Sequence, residues 1–94
     1  MFDKQLIQTQ NALLNAVRTA QAPIKVRKML LALVRKFNFQ QARYFWANNG
    51  YQEEGFQYLI IDELKKDAVR ICRNIDAEEL EQLITDIVFA GIPA

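Results

Sequence analysis

Apolar residues recur at intervals of three and four along almost the whole chain, and this periodicity constrains the fold more than any other feature of the sequence. The interval is most regular in one C-terminal stripe, formed by Leu80, Leu83, Ile84, Ile87 and Val88. Such spacing places side chains on one face of an α-helix, which has about 3.6 residues per turn. Only two prolines and three glycines interrupt the pattern. We therefore expect an all-α protein.

Residues that favour helix ends divide the chain into five segments. Pro23 suits the first turn of a helix, and Asn38 and Asp76 suit N-caps. The run that ends at Gly50 can close a helix in the left-handed conformation. The predicted helices span residues 3–21, 23–36, 39–48, 52–74 and 77–90. Short loops then predict a compact antiparallel bundle of four to five helices, with residues 1–94 as one domain. The number is four if helices two and three form one kinked rod, and the sequence leaves that choice open.

Eight of the ten aromatic residues lie in the stretch 37–59. Helical spacing assigns five of them to the predicted core: Phe37, Phe39, Phe45, Trp46 and Phe56. The other three are Tyr44, Tyr51 and Tyr58, whose hydroxyl groups suit a hydrated surface. We therefore expect the tyrosines to lie outside the core.

The predicted fourth helix carries a buried stripe that includes the single cysteine. Its members are Phe56, Ile60, Leu64, Ala68, Ile71, Cys72 and Ile75. A reactive cysteine needs partial exposure and a positive neighbour, whereas Cys72 lies on the apolar stripe. We interpret it as a structural residue.

The two halves of the chain differ in charge. Eight basic residues and one acidic residue lie up to Gln52, and four basic and ten acidic residues follow. Such asymmetry indicates either a charged partner or two halves that pack together and complement each other. The sequence does not choose between these interpretations.

The composition argues against catalysis. The chain has no histidine and no serine, which removes the commonest general base and the hydroxyl nucleophile of the serine hydrolases. The acidic pairs Glu53–Glu54 and Glu78–Glu79 open predicted helices, where the helix dipole favours anions. We therefore expect no enzymatic activity, no cofactor and no metal site.

The single cysteine excludes an internal disulfide and favours a reducing compartment, so we expect a cytoplasmic protein. No apolar run approaches the roughly 18 residues of a membrane span, and the N-terminal residues do not resemble a secretory signal. We expect no membrane partner.

The remaining hypothesis is a small protein-binding module of the regulator, inhibitor or adaptor kind. Several apolar side chains lie outside the predicted stripes and, with tyrosine and arginine among them, resemble the composition of interface cores. The predicted partner-binding residues, on and around helices two and three, are Arg27, Lys28, Leu31, Arg35, Arg43, Tyr44, Tyr51 and Tyr58. The predicted partner is a protein with an acidic surface, or a second copy of the chain.

The alternative is a nucleic-acid-binding protein that uses the same two helices. Helix two is basic, and helix three carries Gln40, Gln41, Arg43 and Tyr44, of which glutamine and arginine can read base edges. Against this, the turn between the helices contains no glycine, and the pI of about 7.8 is low for such a domain. The acidic second half would also have to face away from the phosphates.

Overall fold

The structure is a computed structural model, and it describes residues 4–50 and 55–92. The helices in these residues are α1 (Lys4–Thr19), α2 (Ile24–Lys36), α3 (Phe39–Asn48), α4 (Phe56–Ile71) and α5 (Ala77–Gly91). No strand occurs in this part of the chain. The predicted all-α bundle is confirmed, and helices two and three are separate.

Four of the helices form a closed ring. α1 packs against α2 and α5, and α4 packs against the same two helices. α2 and α5 therefore occupy opposite corners of the ring. The shorter α3 packs against α4 and α1 and lies across one end of the bundle.

Neighbouring helices of the ring run antiparallel. The side chain of Gln10, early in α1, donates to the carbonyl of Arg35 near the end of α2 at 3.4 Å. The side chain of Gln57, at the start of α4, likewise donates to the carbonyl of Ile92 after α5 at 3.4 Å. The thiol of Cys72 after α4 lies 3.2 Å from the sulfur of Met29 in the first half of α2.

One hydrophobic core fills the ring, and every helix contributes to it. The largest fully buried side chains are Leu13, Val17, Leu30, Val34, Ile60, Leu80, Ile84 and Val88. Helical periodicity places these residues on the inward stripes, because i, i+3 and i+4 positions share a face. Cys72 is half-buried against this core, as its position on the stripe predicts.

Several helix ends differ from the prediction. α1 ends at Thr19, two residues early, and α4 ends at Ile71 instead of residue 74. The predicted start of α4 at residue 52 lies outside the described residues. The prediction places Ile71 in the core, but its side chain is 55% exposed. It is the last residue of α4, and burial at a helix end depends on which neighbours reach that far, which periodicity does not describe.

None of the helices in the described ranges combines the length and the hydropathy that a bilayer-crossing segment needs.

Candidate partner-binding surface

α3 is fixed at its start by a capping interaction. The side-chain oxygen of Asn38 accepts a hydrogen bond from the backbone N–H of Gln41 at 2.9 Å. The amide nitrogen of Asn38 also donates to the side-chain oxygen of Gln41 at 3.4 Å. In a capping box the third residue would reach back to the backbone N–H of the cap, so the return bond here is a side-chain variant of that motif. The cap separates α3 from α2.

One face of α3 lies on the bundle and the other faces outward. Phe39 is buried, its ring centroid is 4.7 Å from that of Phe37, and Trp46 is half-buried beside Phe56. On the outer face, Tyr44 is 71% exposed, as expected, and Phe45 is 53% exposed. Two adjacent aromatic side chains therefore lie largely in solvent.

The prediction that Phe45 belongs to the core is wrong. Phe45 follows Phe39 by six residues, which rotates it about 120° around the helix from the buried position. Ala42 and Trp46, three and seven residues after Phe39, stay on the buried side and are half-buried. The angle around the helix from Phe39, at about 100° per residue, is enough to predict that Phe45 is exposed.

A groove lies beside Phe45, between the end of α2, α3 and α4. It has a volume of about 430 Å³, and its apolar walls come from Phe37, Ala42, Phe45 and Leu59. Lys36 lines the α2 side of the groove, and Glu63 and Asp67 line the α4 side. We call Tyr44, Phe45 and this groove the α3 surface.

Two of the predicted arginines are engaged within the bundle. Arg27 is half-buried, and its guanidinium donates to the carbonyl of Ala22 at 3.0 Å and to that of Arg18 at 3.1 Å. It thereby caps the carbonyl of Arg18 in the last turn of α1 and, through Ala22, holds the α1–α2 turn. Arg43 is half-buried, with its Cζ atom 5.6 Å from the centroid of the Phe56 ring. This geometry is a cation–π contact between α3 and α4.

The predicted α2 residues lie along the outer side of that helix. Lys28 and Arg35 are exposed, and Leu31 is half-buried and packs against the core. The ion pairs among the described residues all involve α4: Lys65–Glu81, Lys66–Glu63 and Arg70–Asp67. Lys28 and Arg35 form no ion pair with any of the described residues.

The remaining two tyrosines are not brought to the α3 surface. Tyr58 is 60% exposed, but its ring lies edge-on to Phe89 of α5, with centroids 5.6 Å apart. It belongs to the α4–α5 side of the bundle. Tyr51 lies outside the described residues.

The packing keeps the basic and the acidic helices of the bundle apart. The basic residues of the first half concentrate on α2, which has no acidic residue, and α5 carries four acidic residues and no basic one. Because these helices lie at opposite corners of the ring, they do not neutralise each other within the chain. The bundle therefore has a basic side at α2 and an acidic side at α5.

No group of three or more histidine, cysteine, aspartate or glutamate residues in the described ranges is arranged to hold a metal ion. Comparison with protein-family models, with curated proteins and with solved structures finds no match to this chain.

Proposed function

We propose that the chain is a non-enzymatic protein-binding module, of the regulator, inhibitor or adaptor kind, that contacts its partner through the α3 surface. The observation that carries this proposal is the exposure of Tyr44 and Phe45 side by side on a helix whose other face is anchored in the core. Aromatic residues on a rigid element are among the commonest anchors of protein interfaces. The site of action proposed for it is the cytoplasm, where a lone thiol stays reduced.

The groove beside Phe45 defines the chemistry of the partner. Its apolar walls suit a leucine-sized or phenylalanine-sized side chain, and burial of such a group stabilises a contact by about 1.5–3 kcal/mol. Lys36 at the edge of the groove suits a carboxylate next to that side chain. Glu63 and Asp67 on the opposite wall are already paired with Lys66 and Arg70, so they do not call for a second acidic group. The proposed partner is therefore a protein segment with an apolar residue and an acidic residue on the side that faces Lys36.

The exposed basic residues of α2 assist the encounter. Lys25, Lys28, Arg35 and Lys36 are all exposed and make no ion pair with the described residues. Charges of one sign attract an opposite surface over roughly one Debye length, about 8 Å at physiological salt. They raise the association rate more than they raise the affinity.

The test is capture of partners from the native host by the immobilised chain, with Tyr44→Ala/Phe45→Ala as the variant. We expect the double variant to lose the captured protein and to keep the circular-dichroism melt of the wild type, since both side chains are largely exposed. Tyr58→Ala is the control, because it removes a comparably exposed tyrosine from the α4–α5 side. Equal capture by the wild type and the double variant, or equal loss with Tyr58→Ala, contradicts the proposal.

A second candidate function is nucleic-acid binding through α2. One condition for it is supported by the packing: the acidic α5 lies at the corner opposite the basic α2 and can face away from phosphates. Binding to duplex DNA or RNA should then fall steeply with salt, because released counterions drive it. Gel retardation at low salt checks this, and an unshifted band with DNA and with RNA excludes it.

A further inference from the structure

The outer side of α2 carries an apolar residue between two basic ones. Lys28, Leu31 and Arg35 follow one another at spacings of three and four residues, so they form one stripe within about 60° of the helix surface. Lys28 and Arg35 are exposed, and Leu31 is half-buried. We call this stripe the α2 edge.

The flank of α5 next to α1 carries the mirror pattern with acidic residues. Glu79, Leu83 and Asp86 follow one another at spacings of four and three residues, and they also share one stripe. Glu79 and Asp86 are exposed, and Leu83 is half-buried. The side chain of Asp86 accepts a hydrogen bond from Gln82 at 2.9 Å, and neither carboxylate forms an ion pair with the described residues. We call this stripe the α5 edge.

The two edges match when the helices run antiparallel. On α2, Leu31 follows Lys28 by three residues, and Arg35 follows Leu31 by four. On α5, read from its C-terminus, Leu83 comes three residues after Asp86, and Glu79 comes four residues after Leu83. Three pairs then face each other: Leu31 with Leu83, Lys28 with Asp86, and Arg35 with Glu79. A parallel arrangement pairs Lys28 with Glu79 and Arg35 with Asp86, and it displaces the two leucines by one residue, or about 1.5 Å.

One chain cannot make this contact within itself, because α2 and α5 lie at opposite corners of the ring and are separated by α1 and α4. We propose that the α2 edge of one molecule binds the α5 edge of a second copy in antiparallel orientation, so that copies associate head to tail. Each dimer leaves one edge of each kind unoccupied, so further copies can add.

The expected affinity is low. One helix pair with a single leucine–leucine contact is smaller than a standard protein interface, and exposed ion pairs contribute little each. The contact should therefore be strongest at about 10 mM salt, where the Debye length is about 30 Å, and should be lost at about 1 M salt, where it is about 3 Å. This self-association goes beyond the proposed function: it uses the chain alone and none of the residues of the α3 surface. It shares Lys28 and Arg35 with the proposed encounter, but the capture test changes only Tyr44 and Phe45, so either proposal can fail without the other.

Two double variants with the same change in net charge test both the contact and its direction. Lys28→Glu/Asp86→Lys reverses both members of one antiparallel pair and leaves the other pair intact, so association should remain. Lys28→Glu/Glu79→Lys places a carboxylate opposite Asp86 and an ammonium group opposite Arg35, so both pairs become repulsive. We expect association of this second variant to be at least about tenfold weaker than that of the first.

Sedimentation equilibrium of the full chain at low salt measures the effect, with circular dichroism to show that each variant keeps its helix content. We expect the mass of the wild type to rise with concentration beyond that of a dimer. A monomeric wild type at millimolar concentration, a wild type that stops at dimers, or equal association of the two variants would each overturn the proposal. Stronger association of Lys28→Glu/Glu79→Lys would also overturn it, since that result requires parallel pairing.

Discussion

The indole ring of Trp46 lies against Gly55, so closely that a Cβ atom at position 55 would be 2.7 Å from Cζ2 of the ring. The same ring packs beside Phe56, with centroids 6.4 Å apart. Because Gly55 has no side chain, the end of α3 can pack directly against the start of α4.

Replacing Gly55 with alanine should displace the indole ring of Trp46 and lower the free energy of unfolding. The added methyl group must push the indole out of its place, and overpacking of this kind costs about 1–3 kcal/mol. Trp46 is the only tryptophan, so its fluorescence reports both the native environment and unfolding in urea.

Gly50→Ala is the control for this experiment. Apart from its chain neighbours, no described atom lies within 4 Å of the added Cβ, and the φ of +74° costs about 1–2 kcal/mol without moving the indole. An unchanged native spectrum in Gly55→Ala would contradict the contact.

Gly91→Ala tests the approach of α5 to α1. A Cβ at Gly91 would lie 3.1 Å from the carbonyl oxygen of Ala12, which belongs to the rigid backbone of α1. We expect a loss of about 1–3 kcal/mol in the free energy of unfolding, measured by urea denaturation. The sign of the change in the free energy of unfolding tests the contact, because a change from glycine to alanine in an unhindered helix is stabilising by about 1 kcal/mol.

Asn38→Ala tests the cap that begins α3. Loss of the acceptor for the N–H of Gln41 should lower the free energy of unfolding by about 1 kcal/mol, measured in urea. Asn38→Asp keeps the acceptor and should restore most of the loss. Asn48→Ala, on the exposed face of the same helix, should change stability by less than about 0.5 kcal/mol, and an equal effect at both positions would refute the capping role.

Gln57→Met tests a polar group in the core. Gln57 is buried, and its Oε1 atom accepts no hydrogen bond from the described residues, while its nitrogen makes one long bond of 3.4 Å to Ile92. Methionine fills a similar volume without an unsatisfied acceptor, so urea denaturation should show a gain of about 1 kcal/mol in the free energy of unfolding. Gln57→Ala, which leaves a cavity instead, should lose about 2 kcal/mol. A loss in the methionine variant would show that the bond to Ile92 outweighs the buried oxygen.

Leu31→Ala should melt at a lower temperature than Tyr44→Ala. Leu31 is half-buried against the core, so its truncation should lower the free energy of unfolding by about 1–2 kcal/mol. Tyr44 is 71% exposed, and its truncation should change stability by less than about 0.5 kcal/mol. Equal melting temperatures for the two variants would mean that Leu31 does not pack as described.

The helices themselves can be predicted because their signals are local. The bounds of α3 at 39–48 agree with the prediction, and its start follows from an asparagine that can cap the first turn. Asp76 likewise caps α5, as predicted, and its carboxylate accepts a hydrogen bond from the backbone N–H of Glu78 at 3.4 Å. Gly50 has the positive φ expected of a helix C-terminus.

Exposure is less predictable, because it depends on what lies opposite each helix face. The stripe on α4 includes Ile71, which is more than half exposed, and the outer side of α2 includes Leu31, which packs partly on the core. Phe45 differs from the prediction for another reason: it lies beside the buried stripe of α3, about 120° from Phe39, and the prediction counted it with the residues on that stripe.

The sequence by itself determined that the described residues are helical, where α2, α3 and α5 begin and end to within one residue, and which half carries which charge. Hydrophobic periodicity and capping residues act over a few residues, so they can be read along the chain. Only the tertiary structure decided that α2 and α5 occupy opposite corners and that Tyr44 and Phe45 face solvent together. Those relationships depend on how four amphipathic helices pack around one core. No local signal in the sequence specifies which helix packs next to which.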